Sequence, residues 1–191
     1  MMDQALKFLL DTAFGLLTYA FLLRFAMQWQ RAPFRNPFGQ AVTALTDWAV
    51  KPLRHVLPGF RGVDWSTLAL AWLAQFGWLL ALAALMSPVG LTASAVPALA
   101  LLAVVELLRA LIWILIIAVL IQAILSWVAP DGPLMGLLNA LTFRFLAPIR
   151  RVVPPLGGTL DLSPLILIVV AQLVLMLPMR WLEGAVVTLF R

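Results

Sequence analysis

Arginine and aspartate occur in two matched pairs that are the strongest candidates for a chemical role in this sequence. Arg54 lies ten residues before Asp64, and Arg150 lies eleven residues before Asp161. An arginine can form a charge-assisted ion pair with a carboxylate across a loop, and a carboxylate directly before a helix favours the positive end of the helix dipole. We expect these aspartates either to close their loops or to start the next helices, and neither role is catalytic.

Four polar side chains fall inside strongly apolar segments: Arg24, Gln75, Gln122 and Gln172. Amides in hydrocarbon require hydrogen-bond partners, and neighbouring helices supply them. Pairing between helices is therefore the simpler interpretation of the glutamines, and a polar pathway through the membrane is the alternative. Arg24 lies near the end of its segment, where a long side chain can extend its charge to the membrane surface.

Basic and aromatic residues between the apolar segments indicate contact with lipid or with a partner protein. Arg54, Arg150 and Arg151 are the candidates for anionic lipid, and Trp48 accompanies them on the first loop. His55 is the only histidine, and one imidazole without a cysteine cannot complete a zinc site. Because the chain also lacks cysteine, a phosphate-binding loop and a paired acid and base, the sequence predicts no enzyme, no cofactor and no metal.

The composition places these residues in a membrane protein. Hydrophobic residues make up 64% of the 191 residues and charged residues only 11%, whereas soluble domains have about a half and a quarter. Uncharged stretches of 41, 21 and 18 residues follow Asp64, Arg109 and Asp161, and a membrane span needs about 20 apolar residues. The sequence predicts an all-α protein with four transmembrane helices, at residues 11–29, 68–86, 110–128 and 164–177.

The sequence also repeats itself across its two halves. Prolines, a Leu-Thr pair, a Pro-x-Arg motif and a glycine between residues 37 and 62 return at an offset of 96, and flanking residues return at offsets of 98 or 97. This register predicts two copies of one unit, at residues 1–90 and 91–191. Since each copy has two spans, both enter the membrane in the same direction, and the repeats are parallel.

The two long loops, residues 30–64 and 130–161, carry apolar residues at helical spacing with polar residues between them. We expect each loop to contain an amphipathic helix that lies in the headgroup layer. These loops and Arg24 hold nine of the thirteen basic residues, and basic residues accumulate on the cytoplasmic side of membranes. The charge therefore predicts cytoplasmic loops and external termini, and it does not indicate nucleic-acid binding.

Motifs in both halves make the sequence resemble a known family. The first half carries Gln28-Trp29, Leu45-Thr46-Asp47-Trp48, Pro52-Leu53-Arg54 and Asp64-Trp65. The second half carries Gln122-Ala123-Ile124-Leu125-Ser126-Trp127, Pro148-Ile149-Arg150-Arg151 and Asp161-Leu162-Ser163-Pro164. In these motifs the chain resembles the YggT family of bacterial membrane proteins.

The resemblance implies fold and location more than chemistry. YggT-like proteins are multi-pass plasma-membrane proteins linked to osmotic-stress tolerance in proteobacteria. Single-repeat relatives are linked to division or nucleoid organisation, and a plastid relative to haem attachment. We expect a non-enzymatic scaffold or assembly factor of the inner membrane, whose partners are membrane lipids, a membrane-protein complex or a second copy. The alternative is a small ion or solute transporter in which Gln75 and Gln172 face each other along the path.

Overall fold

The computed structural model describes residues 2–60, 62–86, 95–154 and 161–189, so residues 155–160 of the second predicted loop lie outside the described residues. Within the described ranges the regular secondary structure is helical, apart from one bridge between Phe60 and Val63, and short turns and loops join the helices. The helices are α1 (Met2–Trp29), α2 (Pro37–Arg54), α3 (Trp65–Met86), α4 (Ala95–Val128), α5 (Met135–Val152), α6 (Ser163–Met176) and α7 (Pro178–Leu189).

Four helical segments are long and apolar enough to cross a membrane: α1, α3, α4, and α6 continued by α7. A helix that faces lipid on one side and other helices on the rest is apolar all round, as these segments are. α1 and α3 include the predicted spans of 11–29 and 68–86 and begin nine and three residues earlier. The structure confirms the prediction of an all-helical chain with four segments able to span a membrane.

The third segment is longer than the predicted span of 110–128. α4 begins at Ala95 and continues through Glu106 and Arg109 without a break. Pro97 does not interrupt it, because in the first turn of a helix the missing amide hydrogen has no intrahelical acceptor to lose. Glu106 and Arg109 lie on one helical face and form an ion pair of 2.9 Å. These paired charges therefore lie within the helix and do not end it.

The fourth segment is interrupted at Leu177. α6 ends at Met176 and Pro178 begins α7, which the predicted span of 164–177 does not include. A proline lacks the amide hydrogen that continues a helix but fits the first position of a new one. α7 packs against α4, and the Glu183 carboxylate forms an ion pair with Arg109. The chain after residue 177 is therefore part of the bundle.

Helices α2 and α5 occupy the two long loops. Asn36 is the N-cap of α2, because its Oδ1 accepts a hydrogen bond of 2.8 Å from the Gly39 amide, and Pro37 follows at the first helical position. Pro52 and Pro148 lie near the C-terminal ends of α2 and α5. A proline ring clashes with the preceding turn, which favours an end to the helix soon afterwards.

α4 lies at the centre of the bundle and packs against α1, α3, α5, α6 and α7. Ala49 and Val50 of α2 pack among residues of α1, α3 and α4. Val42 of α2 and Leu137 of α5 share a second buried cluster with Met27 of α1. α2 and α5 therefore lie at the same end of the bundle, next to the C-terminal end of α1. We call this end, formed by α2, α5 and the turns that flank them, the loop-helix face.

Candidate functional site at the loop-helix face

Arg24 anchors α2 to α1. Its side chain is buried, and Nη1 donates hydrogen bonds of 2.7 Å to the Thr46 hydroxyl and to the Asp47 carboxylate. Lys51 forms a further ion pair of 2.8 Å with the same carboxylate from the next turn of α2. These contacts hold the pKa of Asp47 below its usual value, chiefly through the Lys51 and Arg24 hydrogen bonds, which outweigh the opposing effect of burial. The cation predicted to extend to the membrane surface instead points into a helix contact.

Gln122 takes the corresponding role in the second half. Its Nε2 donates to Asn139 Oδ1 at 2.6 Å, and the Thr142 hydroxyl donates to its Oε1 at 2.6 Å. Gln122 follows Arg24 by 98 residues, and Thr142 follows Thr46 by 96, which are the offsets of the sequence repeat. A polar residue of a spanning helix thus contacts a threonine of the loop helix in both halves. The amide of Gln122 therefore connects the spanning helix α4 to the loop helix α5. These hydrogen bonds do not connect one spanning segment to another.

The first predicted Arg-Asp pair closes the loop after α2. Arg54 Nη2 contacts Asp64 Oδ2 at 2.6 Å, and the Ser66 hydroxyl donates to Asp64 Oδ1 at 2.5 Å. The Thr67 hydroxyl also donates to this carboxylate, which is buried directly before α3. Burial acts to raise the pKa of Asp64, but the hydrogen bonds from Arg54, Ser66 and Thr67 hold that pKa well below its usual range. Asp64 therefore forms the ion pair with Arg54 and also accepts hydrogen bonds from the first turn of α3.

The second pair has the same geometry with more exposure to solvent. Arg150 Nη2 lies 2.8 Å from Asp161 Oδ2, and the Ser163 amide donates to Asp161 Oδ1 at 2.9 Å. Burial again acts to raise the pKa of Asp161, and hydrogen bonds from Ser163 and Arg150 outweigh it, so the pKa is lowered. The sequence offered two roles for these aspartates, and each carboxylate contacts both its arginine and the start of the next helix.

The predicted lipid-contact residues therefore fall into two groups. Arg54 and Arg150 are engaged by carboxylates, whereas Arg151 is exposed and forms no ion pair among the described residues. Trp48 is 66% exposed, and its indole nitrogen donates to the Leu45 carbonyl one turn earlier. Leu45 is also exposed, so α2 presents two large apolar side chains on the side that faces away from the bundle. His55, at the C-terminal end of α2, is exposed, as the sequence predicts.

A basic cavity that sequence reasoning did not identify lies between the end of α1 and α5. It has a volume of about 810 Å³, and Trp29, Arg31, Asn139 and Arg144 contribute to its lining. The Arg144 guanidinium lies 5.3 Å from the centre of the Trp29 ring, which is a cation–π distance. The only sequence signal was the presence of arginines 113 positions apart. No spacing rule joins such residues, because tertiary packing brings them together.

The two predicted intramembrane glutamines Gln75 and Gln172 do not meet. α3 and α6 make no contact within the described residues, since α4 packs between them. The expectation that Gln75 and Gln172 face each other is therefore wrong. Gln75 instead lines a cavity of about 380 Å³ with Asp11, Thr18, Glu106 and Arg109, toward the end opposite the loop-helix face.

Within the part of the chain that the structure describes, no three histidine, aspartate or glutamate side chains are close enough to hold a metal ion. The ion pairs and helix caps of the loop-helix face position segments of chain, whereas Arg31, Arg144 and Arg151 form no ion pair among the described residues. A bundle of four membrane-spanning segments with a face of two shorter helices defines a polytopic helical membrane protein. The family model for CCB3/YggT matches residues 3–87 and 101–182. The chain belongs to the YggT family, as the resemblance predicted.

Relatives from several proteobacteria match along most of the chain. The uncharacterised protein YggT of Escherichia coli is 33% identical over 187 residues, which cover 90% of this chain and 87% of that protein. An uncharacterised protein of Pseudomonas aeruginosa is 34% identical over 179 residues, covering 92% and 89%. A protein of Vibrio alginolyticus from the region 3′ of proC is 34% identical over 170 residues, covering 88% and 90%. No solved structure matches the chain.

Proposed function

We propose that this protein is a scaffold of the bacterial inner membrane that acts without catalytic turnover and supports osmotic-stress tolerance. The observation that carries the proposal is the construction of α2. One side of this helix is held by the buried Arg24 contacts and by Val50, and the other side exposes Leu45 and Trp48. Exposed aromatic and aliphatic side chains on a rigid support are typical of contact sites for a partner protein.

We infer from the sequence repeat that the scaffold has two similar units, each with one loop helix. Residues 1–90 and 91–191 are two parallel copies of one unit, and α2 and α5 are their amphipathic helices in the headgroup layer. The paired offsets of Arg24 with Gln122 and of Thr46 with Thr142 support this assignment. The excess of basic residues on the loop-helix face supports its placement in the cytoplasm, with both termini outside. Partners are lipids, a membrane-protein complex or a second copy.

Photocrosslinking in living cells tests the scaffold. A benzoylphenylalanine at Trp48 or Leu45 should give a discrete adduct with a protein, whereas the same residue at Leu165, an exposed position on α6, should give only lipid adducts. The Trp48→Ser variant should abolish the protein adduct formed by benzoylphenylalanine at position 45, and it should reduce growth after an osmotic upshift. The control variant Gln40→Ser, at an exposed position of the same helix, should have neither effect. Lipid adducts alone at all three positions would contradict the proposal.

A second function, movement of a small ion or solute, is favoured by the polar cavity at Gln75. Asp11, Glu106 and Arg109 are ionisable groups inside apolar helices, and the Thr18 hydroxyl at the same cavity is buried without a hydrogen-bond partner among the described residues. Ionisable residues within spans are typical of transport paths. The cavity does not include Gln172, so the path differs from the one predicted from the sequence.

Proteoliposome flux separates the two functions. Potassium or compatible-solute flux that the Gln75→Leu variant abolishes and the Gln172→Leu variant preserves would establish transport through this cavity. The scaffold proposal expects no flux from either variant or from the wild-type protein. Because α3 and α6 make no contact within the described residues, the single variants are more informative than the double variant.

A further inference from the structure

We propose that the junction of α1, α4 and α5 is a specific binding site for one anionic phospholipid. The proposal deepens the scaffold function by naming a ligand of the loop-helix face, and it rests on that function. Two adjoining cavities carry it: the basic cavity at Arg31 and Arg144, and an apolar slot that runs from it between the helices.

The basic cavity provides the charge for a phosphate group. Arg31 and Arg144 line it, and none of the residues that line it is acidic. Neither arginine forms an ion pair among the described residues, in contrast to Arg54 and Arg150. A phosphodiester carries one negative charge, and a guanidinium group can donate two parallel hydrogen bonds to two phosphate oxygens. The unpaired cations at this cavity are therefore chemically suited to a phospholipid headgroup.

The backbone at Arg31 supports a positioned side chain. Arg31 has a φ of 54°, and no other described residue apart from glycine has a positive φ. A left-handed residue directly after a helix is a common way for the helix to end, and it fixes the direction in which the chain leaves the helix. It occurs in the turn after α1, where the Ala32 amide donates to the Met27 carbonyl at 2.8 Å and ends the helix. The turn therefore holds Arg31 at the edge of the cavity.

The apolar slot provides the place for an acyl chain. It has a volume of about 140 Å³, and Ala26 of α1, Ile112 and Leu115 of α4, and Phe145 of α5 contribute to its lining. Trp29 and Gln30 line both the slot and the basic cavity, so the two adjoin at these residues. A larger apolar cavity of about 350 Å³ borders the slot at Ile114, Ala118 and Leu141.

The combination selects a lipid over a soluble phosphate compound. A free phosphate would use the two arginines alone, whereas a phospholipid also places its methylene groups against the apolar lining of the slot. Trp29 lies between the polar and apolar parts, at the position where tryptophan is enriched at membrane interfaces. The ligand that fits both parts has an anionic headgroup and an acyl chain.

Native mass spectrometry of the delipidated full-length protein, titrated with phosphatidylglycerol, tests the site. The R31Q/R144Q variant should bind about 30-fold more weakly than wild type, which is about 2 kcal/mol at 1.4 kcal/mol per tenfold change. The matched control is R35Q/R151Q, which removes the same charge from two exposed arginines outside the cavity. Control binding should stay within about twofold of wild type. An equal loss in both variants would show a general charge effect and overturn the proposal.

The slot has its own pair of variants. Ile112→Trp fills the slot and should weaken phosphatidylglycerol binding, whereas Ile124→Trp, at an exposed position of the same helix, should not. If Ile112→Trp leaves binding unchanged and glycerol phosphate competes fully with phosphatidylglycerol, the ligand is a soluble phosphate compound. That result would overturn the proposal that the site binds a lipid. Equal affinity for phosphatidylcholine would overturn the requirement for an anionic headgroup. These titrations use purified protein and do not involve Leu45 or Trp48, so the scaffold proposal can fail independently.

Discussion

Arg24 is a charged residue inside an apolar helix, and its burial is possible because α2 provides both a hydroxyl and a carboxylate at 2.7 Å. A buried cation without such partners carries a large desolvation cost. In the second half, Gln122 contacts Thr142, and the residue at the position of Asp47 is Phe143. Charge is therefore not required to join a loop helix to its span, and a neutral amide forms the same contact.

Substitution of Asp47 tests this interpretation. The Asp47→Asn variant leaves the Arg24 charge buried without a carboxylate, which lowers the free energy of unfolding. We expect a loss of about 2 kcal/mol, less than for a fully buried pair, because solvent reaches part of the site. The double variant R24Q/D47N removes both charges and leaves a neutral amide facing Thr46, as Gln122 faces Thr142, and it should regain most of this stability. The thermal stability of both variants in detergent can be measured by the loss of the monodisperse size-exclusion peak with increasing temperature. A double variant less stable than Asp47→Asn would contradict the equivalence of the two halves.

Asp64 should make stability depend on pH in the acid range. Its pKa in the folded protein lies below the usual value of about 3.9, so ionisation stabilises the fold above that pH, and the contribution is lost as the pH falls toward the folded value. We expect thermal stability to decrease between about pH 5 and pH 3 in the wild type. The Asp64→Asn variant should be less stable at pH 7 and should show a smaller decrease. Parallel curves for the two proteins would exclude Asp64 as the titrating group.

At the scale of elements, α2 and α5 differ in how they begin. The first turn of α2 lies so close to the preceding chain that a Cβ atom on Gly39 would stand 2.8 Å from the Phe34 carbonyl oxygen. A Cβ atom on Gly136 in α5 would meet no atom within 4 Å. The Asn36 cap and this close approach fix where α2 starts, whereas no side chain caps α5.

Two glycine-to-alanine variants follow from this difference. Gly39→Ala forces the backbone at residue 34 to move and should cost about 2 kcal/mol of stability. Gly136→Ala adds a helix-favouring residue in open space and should be neutral or stabilising by up to about 1 kcal/mol. Thermal unfolding of the two proteins side by side measures the contrast. Equal effects would mean that α2 does not begin against Phe34.

At the scale of the whole molecule, the proposed orientation follows from charge and can be tested without background, because the chain has no cysteine. Single cysteines at the exposed positions Gln4 and Thr188, near the two termini, should react with a membrane-impermeant maleimide in spheroplasts. Cysteines at His55 and Arg151 on the loop-helix face should react only after the membrane is opened. The reverse pattern would place the loop-helix face outside and contradict the proposed contact with cytoplasmic partners.

The sequence alone determined the helical fold class and the presence of four segments able to span a membrane. Apolar length and proline positions are local properties, so they identify α1, α3 and the helices of the two loops without tertiary information. The part of α4 before residue 110 was missed, because the ion pairs of Arg109 that make its charge tolerable include Glu183 of α7. The same long-range contact explains why α7 was not expected.

Tertiary structure alone decided which polar groups remain free to bind. The sequence offered Arg54 and Arg150 both as aspartate partners and, with Arg151, as lipid contacts, and in the structure the first two are paired with aspartates while Arg151 is exposed. Arg31 and Arg144 belong to different halves and meet at one cavity because α1 packs against α4 and α5. Gln75 and Gln172 match in the repeat but are separated by α4. A sequence motif determines only its local surroundings, whereas the packing of the helices against one another determines which groups face a common space.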